Sequence, residues 1–167
     1  KQPEVFEYMA SRIQKGEQAY IVFPLIEETE KKDLLAAKKE FERLGKTVFR
    51  KFRMGLVHGK LVRPEREAIM RAFSRNEINI LVATSVIEVG VDQPNATMMI
   101  IENAERFGLA QLHQLRGRIG RGKLESDCFL FGEPATDEGK MRLRLLTKLS
   151  DGFLIADEDL KLRGQGD

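Results

Sequence analysis

Cysteine is nearly absent from this sequence: Cys128 stands alone among 167 residues. One thiol cannot close an internal disulfide, and the scarcity suits a reducing compartment. Cys128 lies in the apolar run Cys128-Phe129-Leu130-Phe131 and reads as a core residue. Histidine is scarce too, with only His58 and His113, so soft ligands cannot cluster around a metal. No apolar run approaches the length of a membrane span, so no membrane partner is expected. A bulk excess of one charge is also missing. The net charge is +2, and any contact with a polyanion must come from local patches. A phosphate-cradling P-loop is lacking as well. Gly45-Lys46-Thr47 imitates the end of one, but Glu40 occupies the position that needs the first glycine, and a helix precedes it where a strand is required. Phe153 to Glu158 imitates an apolar strand ending in a magnesium-binding Asp-Glu pair. No P-loop lies upstream of it, and Asp157 better caps a following helix. The chain therefore cannot hold nucleotide phosphates by itself.

What is present describes an ordinary globular chain of about one domain, 42% hydrophobic and 32% charged. Apolar runs alternate with helical stretches. Helices are predicted over Pro3–Lys15, Lys32–Leu44 and Pro64–Arg75, with Gly16 and Gly45 closing the first two. Strands are predicted at 19–23, 54–57, 78–83, 97–101 and 128–131. They are short, continuous and rich in Ile, Val, Leu and Phe, as in a parallel sheet buried on both faces. The alternation predicts an α/β fold with a mostly parallel sheet and right-handed crossovers. Ligands of such sheets sit beyond the carboxyl ends of the strands. From Thr136 the pattern becomes helical, breaks at Ser150-Asp151-Gly152, and resumes near Asp157 to end at Gly164. This reads as a helical hairpin over 135–167 appended to a lobe over 1–134. The chain ends within Arg163-Gly164-Gln165-Gly166-Asp167, which reads as cut in mid-motif, so a larger parent protein is expected.

The richest stretch is Gln114-Leu115-Arg116-Gly117-Arg118-Ile119-Gly120-Arg121. Read as a helix, it puts Gln111, Gln114, Arg118 and Arg121 on one face and Leu109, Leu112, Leu115 and Ile119 on the other. One side buries; the other presents amides and forked guanidinium groups, which suit phosphate oxygens. After the strand at 78–83 come Thr84-Ser85 and then Gly90-Val91-Asp92. Thr84 can donate to a phosphate oxygen and Asp92 can accept from a sugar hydroxyl. Helix capping would explain the same residues. His58-Gly59 also follows a strand, either as a simple turn or as a phosphate contact. Between Lys38 and Arg75 twelve basic residues face four acidic ones, a local excess that could attract a phosphate backbone or simply coat two helices.

Taken together, these segments resemble the second motor lobe of superfamily 2 helicases, and more narrowly the RecG family of ATP-dependent DNA helicases. The resemblance spans essentially the whole chain. It is strongest from Ile87-Glu88-Val89-Gly90-Val91-Asp92 through Ile101 to Gln114 and on to Arg121-Gly122. The tail segments Asp151 to Ala156 and Asp159 to Gly164 resemble the hairpin and loop that couple the motor to DNA movement. The bacterial transcription-repair coupling factor shares that arrangement, while Asn103 to Phe107 and Asp151-Gly152-Phe153 favour RecG. Gln165 departs from an expected proline, and Asp167 from an expected glutamate.

The resemblance implies a three-layer RecA-like lobe with a C-terminal helical hairpin. It implies that Gln114, Arg118 and Arg121 form the sixth helicase motif, with Arg121 as arginine finger and Arg118 its partner on the γ-phosphate. Thr84, Ser85, Gly90 and Asp92 would form the fifth motif, the first two on DNA phosphates and the last two on the nucleotide. His58 and Gly59 would touch the DNA backbone, Phe23-Pro24-Leu25 would be structural, and Arg163 and Gln165 would sit in the coupling loop. ATP with Mg²⁺ would be held mainly by a first lobe outside this chain, and no metal by the chain itself. The expected partners are that first lobe and branched or forked DNA, in a bacterial cytoplasm and close to the nucleoid. Two other readings stand beside this one: the coupling-factor translocase, and a non-enzymatic α/β interaction module. Retention of Gln114, Arg118 and Arg121 together argues against the last.

Overall fold

A computed structural model describes residues 2–25, 30–84, 93–120, 124–132, 137–149 and 153–155. In chain order the elements are α1 (Gln2–Gln14), β1 (Gln18–Val22), α2 (Glu30–Lys46), β2 (Met54–Val57), α3 (Arg63–Ser74), β3 (Ile80–Ala83), β4 (Ala96–Ile101), a 3₁₀ turn (Ala104–Arg106), α4 (Leu109–Arg116), β5 (Asp127–Leu130), α5 (Asp137–Leu149) and β6 (Phe153–Ile155). The strands form one sheet in the order β2-β3-β1-β4-β5-β6, and every pairing is parallel.

Two apolar layers account for the continuous hydrophobic runs. Side chains alternate across a strand with period two. Ala19, Ile21, Ile80, Val82, Met98, Ile100 and Phe129 therefore share one face, where α1 and α2 cover them through Phe6, Met9, Ala37 and Leu44. Tyr20, Val22, Leu81, Ala83, Met99, Ile101, Cys128 and Leu130 take the other, under α3, α4 and α5 through Phe73, Leu112, Leu115 and Leu143. The α/β three-layer expectation holds. Cys128 is fully buried in the second layer, and its removal from water pushes the thiol up to about 12.

Local chemistry sets the element ends. Gly16, at φ 101°, closes α1: its N–H and that of Glu17 reach back to the carbonyls of Ile13 and Arg12. Gly45 does not close α2, which continues to Lys46 and is finished by Thr47, whose hydroxyl donates to the Arg43 carbonyl at 2.7 Å.

The tail differs from its sequence reading. The helix predicted after Thr136 is present as α5, but Phe153–Ile155 then adds a sixth strand beside β5, with Phe129 opposite Leu154. In its described part the tail is thus a helix followed by a strand that the sequence reading did not include. The second helix expected from Asp157 to Gly164, and with it Arg163 and Gln165, lies outside the described residues.

Candidate functional site

β1 sends its chain leftward to β2, while β2, β3, β4 and β5 send theirs rightward. The helices after β1 and β4 consequently lie on opposite faces, and the loops at the carboxyl ends diverge there, leaving a crevice. Val57 pairs with Ala83, and Ala83 with Val22, so His58, Thr84 and Phe23 follow on three adjacent strands. His58 is half-buried and its Nδ1 accepts the Lys60 N–H at 3.2 Å, while Gly59 is exposed. The imidazole thereby shapes its own turn. Thr84 is fully buried, and its Oγ1 has no hydrogen-bond partner. In this structure the hydroxyl faces the interior, not a surface a phosphate could occupy. Phe23 belongs to the α1–α2 core layer, in keeping with a structural role. Ser85, Gly90 and Asp92 lie outside the described residues.

The second group of residues stands at the end of α4. The expectation of one helix carrying both arginines is corrected: α4 stops at Arg116. Gly117 continues to the His113 carbonyl, but Arg118 N–H donates to Leu115, a tighter three-residue turn. Gly120 then takes φ 78°, and a Cβ there would collide with the Ser126 side chain. Only glycine fits this left-handed, crowded corner. The inward face is as read for Leu112, Leu115 and Ile119, which are buried; Leu109 is exposed instead. Gln111 is exposed, and its Oε1 accepts the N–H of Gly108 at 2.9 Å.

Gln114 is exposed and Arg118 partly so. Among the described residues no hydrogen bond or ion pair engages either side chain. Their neighbours contrast with them. Arg116 donates to the Ser126 hydroxyl at 3.0 Å, and Arg106 grips Asp33 with both forks at 2.8 and 3.2 Å. The structure therefore sorts these three arginines by sequence neighbourhood: two tie loops together and one is left to reach outward. Arg121 lies outside the described residues, directly after Gly120. The expected site residues fall into two groups, His58, Gly59 and Thr84 at the carboxyl rim, and Gln114 in the last turn of α4 with Arg118 two residues past its end.

Four features were not read from the sequence. Asp33, in the first turn of α2, is buried and anchors Arg106, fixing the 3₁₀ turn against α2. Gln18 and Gln93 are buried, and both amides donate to the Phe73 carbonyl at the end of α3, at 2.7 and 3.1 Å. Gln93 thus pins the exit of the segment that begins after Thr84. The third is an Arg12 hub at the amino ends of the strands, taken up in the Discussion.

The fourth is Glu102, the residue after β4. Its N–H donates to the Val22 carbonyl at 2.8 Å, and its Oε1 is buried without a partner. Burial, with Glu40 and Glu105 adding and Arg43 opposing, pushes its carboxyl up to about 7. The native state then keeps a proton that the unfolded chain releases near 4.5. Stability accordingly falls as pH rises from about 4.5 to about 7 and levels off above. Glu102→Gln is expected to remove that slope and to raise stability at pH 8 by on the order of 2 kcal/mol. Urea unfolding at pH 5 and pH 8 measures this; parallel pH profiles for the two proteins would contradict it.

Among the described residues no group of three or more His, Cys, Asp or Glu side chains could hold a metal ion. Nor is any described helix long and apolar enough to cross a membrane.

Comparison with known proteins gives these features a family context. Residues 1–123 match the model of the helicase conserved C-terminal domain. The chain is 48% identical, over its whole length, to the ATP-dependent DNA helicase RecG of Synechocystis sp., covering 20% of that protein. It is 50% identical over 98% of its length to the RecG of Thermotoga maritima, covering 21% of it. The chain thus spans about a fifth of the length of these curated relatives. Among solved structures, RecG bound to a three-way DNA junction superposes with a TM-score of 0.73 at 46% identity, over 90% of this chain and 19% of that one. A yeast DEAD-box splicing factor superposes at 0.66 over 89% of this chain and 31% of its own, at 20% identity, a likeness of fold alone.

Proposed function

The chain belongs to the helicase conserved C-terminal domain family, and we propose that it is the second motor lobe of a RecG-type ATP-dependent DNA helicase that remodels branched DNA. The observation that carries this reading is the pair of polar side chains unengaged among the described residues, Gln114 in the last turn of α4 and Arg118 just past it, beside an arginine, Arg116, that is tied down. Within a RecG-type protein they face a nucleotide held by the first lobe. The residues fit that group: an always-charged fork and an amide, both open, match phosphate oxygens. ATP supplies the free energy of the cycle when bound, together with Mg²⁺ on the first lobe.

This chain's own residues then have three tasks. Arg118, with Arg121 behind the Gly120 corner, neutralises charge that develops on the γ-phosphate as the lobes close. His58, Gly59 and Ser85 belong to the carboxyl rim that tracks the DNA backbone, with buried Thr84 supporting that rim from within; such contacts carry little sequence information, so recognition rests on branched structure. Gly90 and Asp92 complete the nucleotide side. Coupling follows from packing. α5 lies against the Ala104–Arg106 turn, and that turn is clamped to α2 by Arg106 and Asp33. Movement at the motor site therefore reaches residues 135–167, where Arg163 and Gln165 continue the coupling segment. The setting is the bacterial cytoplasm, on nucleoid DNA.

The test is ATP-dependent unwinding of a three-way junction by the full-length protein, compared with a blunt linear duplex. Preference for the junction supports the reading, and absence of DNA-stimulated turnover would leave only a shared fold. The isolated 167-residue chain is expected to show no ATP turnover above a buffer blank in a coupled assay. Measurable turnover would mean that the nucleotide pocket is complete within one lobe.

A further inference from the structure

A groove of about 340 Å³ opens between α1 and the turn that joins α2 to β2. It lies by the amino end of β2, and none of the described residues assigned to the motor, His58, Gly59, Thr84, Gln114 and Arg118, lines it. Its floor is apolar: Ala10, Val48 and Phe52 are partly buried against the α1–α2 core layer. Its rim is cationic, with Arg50 and Lys51 exposed. Among the described residues no hydrogen bond or ion pair engages either side chain. From Lys46 to Arg53 the chain carries four basic residues and no carboxylate, so the rim lacks a counter-charge of its own.

We propose that this groove docks an acidic peptide segment of a partner protein, one apolar side chain seated on the floor and flanking carboxylates on Arg50 and Lys51. The size fits: a few hundred cubic ångströms accommodate a single leucine or phenylalanine with its adjoining backbone. The chemistry fits as well. Arg50 can take a carboxylate with two parallel hydrogen bonds, and Lys51 adds a second point charge. A nucleic-acid backbone would meet the same cations but leave the apolar floor unfilled, so the floor decides for peptide.

The experiment uses the full-length protein and a fluorescein-labelled probe, Glu-Glu-Leu-Glu-Glu, read by fluorescence anisotropy. A control peptide carries Gln in place of every Glu. Saturable binding of the acidic probe is expected, at least tenfold tighter than the control and weakened by salt. The double variant R50E/K51E should lose at least tenfold in affinity while retaining DNA-stimulated ATP turnover, which also shows that it is folded. Ala10→Phe, which fills the floor without touching charge, should weaken the probe as well. Three results would each overturn the proposal: no saturable binding to the unmodified protein, binding unaffected by R50E/K51E, or equal competition by a short single-stranded oligonucleotide that Ala10→Phe does not disturb. The last would make the patch a nucleic-acid contact.

Discussion

Arg121→Ala in the full-length protein is expected to lower DNA-stimulated ATP turnover by roughly 10³-fold or more, with KM for ATP little changed. The size follows from the job. An arginine finger stabilises charge present only in the transition state, and such residues contribute about 10³–10⁵ in rate, or roughly 4–7 kcal/mol. The structure describes what frames this residue. Before it stands Gly120, locked at φ 78° against Ser126. After it, Ser126 is held by Arg116 and the Glu125 carbonyl by Arg12. Arg118→Ala is expected to cost less, about 10²–10³, as for loss of one electrostatic donor among several. Steady-state kinetics on saturating forked DNA separates the cases. Near-normal kcat in Arg121→Ala would remove the finger role, and an equal rise of KM with unchanged kcat would make it a ground-state contact. Arg118→Lys should not rescue, because an ammonium cannot replace the planar fork.

Much of this lobe could be read in advance because its strands are buried on both faces. Continuous runs such as Ala19–Phe23 and Met98–Ile101 leave no amphipathic alternation and mark a parallel sheet covered on two sides. What escaped depended on distant partners or on backbone angles. Phe153–Ile155 is too short to distinguish a strand from the apolar shoulder of a capped helix; only its pairing with Cys128–Leu130 decides. The apolar period of α4 continues through Ile119, four residues after Leu115 and equally buried, so periodicity overran the helix end at Arg116. Gly117 at the stop is still right-handed and the left-handed corner comes at Gly120, neither of which shows in hydrophobicity. Glu102 gave no sign of its raised pKa, because the groups that shift it include Glu40 and Arg43, about sixty residues earlier on α2. Of the expected site, the exposure of Gln114 and the partial exposure of Arg118 were legible from the helical period. The burial of Thr84 was not, since a hydroxyl after a strand looks the same in either direction.

Arg12→Ala is expected to destabilise the lobe by about 2–4 kcal/mol, because it leaves the partly buried carboxylates of Glu17 and Asp127 without their partner. Arg12 donates to Glu17 through Nε at 3.1 Å, to Tyr8 and Asp127 through one terminal nitrogen at 2.9 Å each, and to the Glu125 carbonyl through the other at 2.5 Å. Its side chain is 11% exposed. Tyr8 closes the circuit by donating to Asp127 at 2.6 Å, and Thr97 donates to Glu17 at 2.6 Å. One guanidinium thus joins α1 to the starts of β4 and β5. Burial alone would raise the Glu17 carboxyl, but the hydrogen bonds from Arg12 and Thr97 outweigh it and hold the pKa below its ordinary value. A depressed folded pKa gives stability that is full above the unfolded value of about 4.5 and is lost as pH falls through the folded one. The variant should therefore show a flatter acid limb as well as a midpoint lowered by roughly 10 °C at neutral pH. Arg12→Lys should recover only part, since one ammonium cannot span Glu17, Asp127 and the Glu125 carbonyl together. Pairing Arg12→Met with Glu17→Gln should cost less than the sum of the two single changes, because the second removes a charge the first leaves stranded. The hub also reaches function. Glu125, whose carbonyl Arg12 holds, lies four residues after Arg121, the proposed finger. Below its melting midpoint, Arg12→Ala is expected to lose on the order of tenfold in kcat in the full-length protein. Thermal unfolding with a normal kcat would confine the hub to stability, and a variant as stable as the parent would show that the ion-pair network contributes no net free energy.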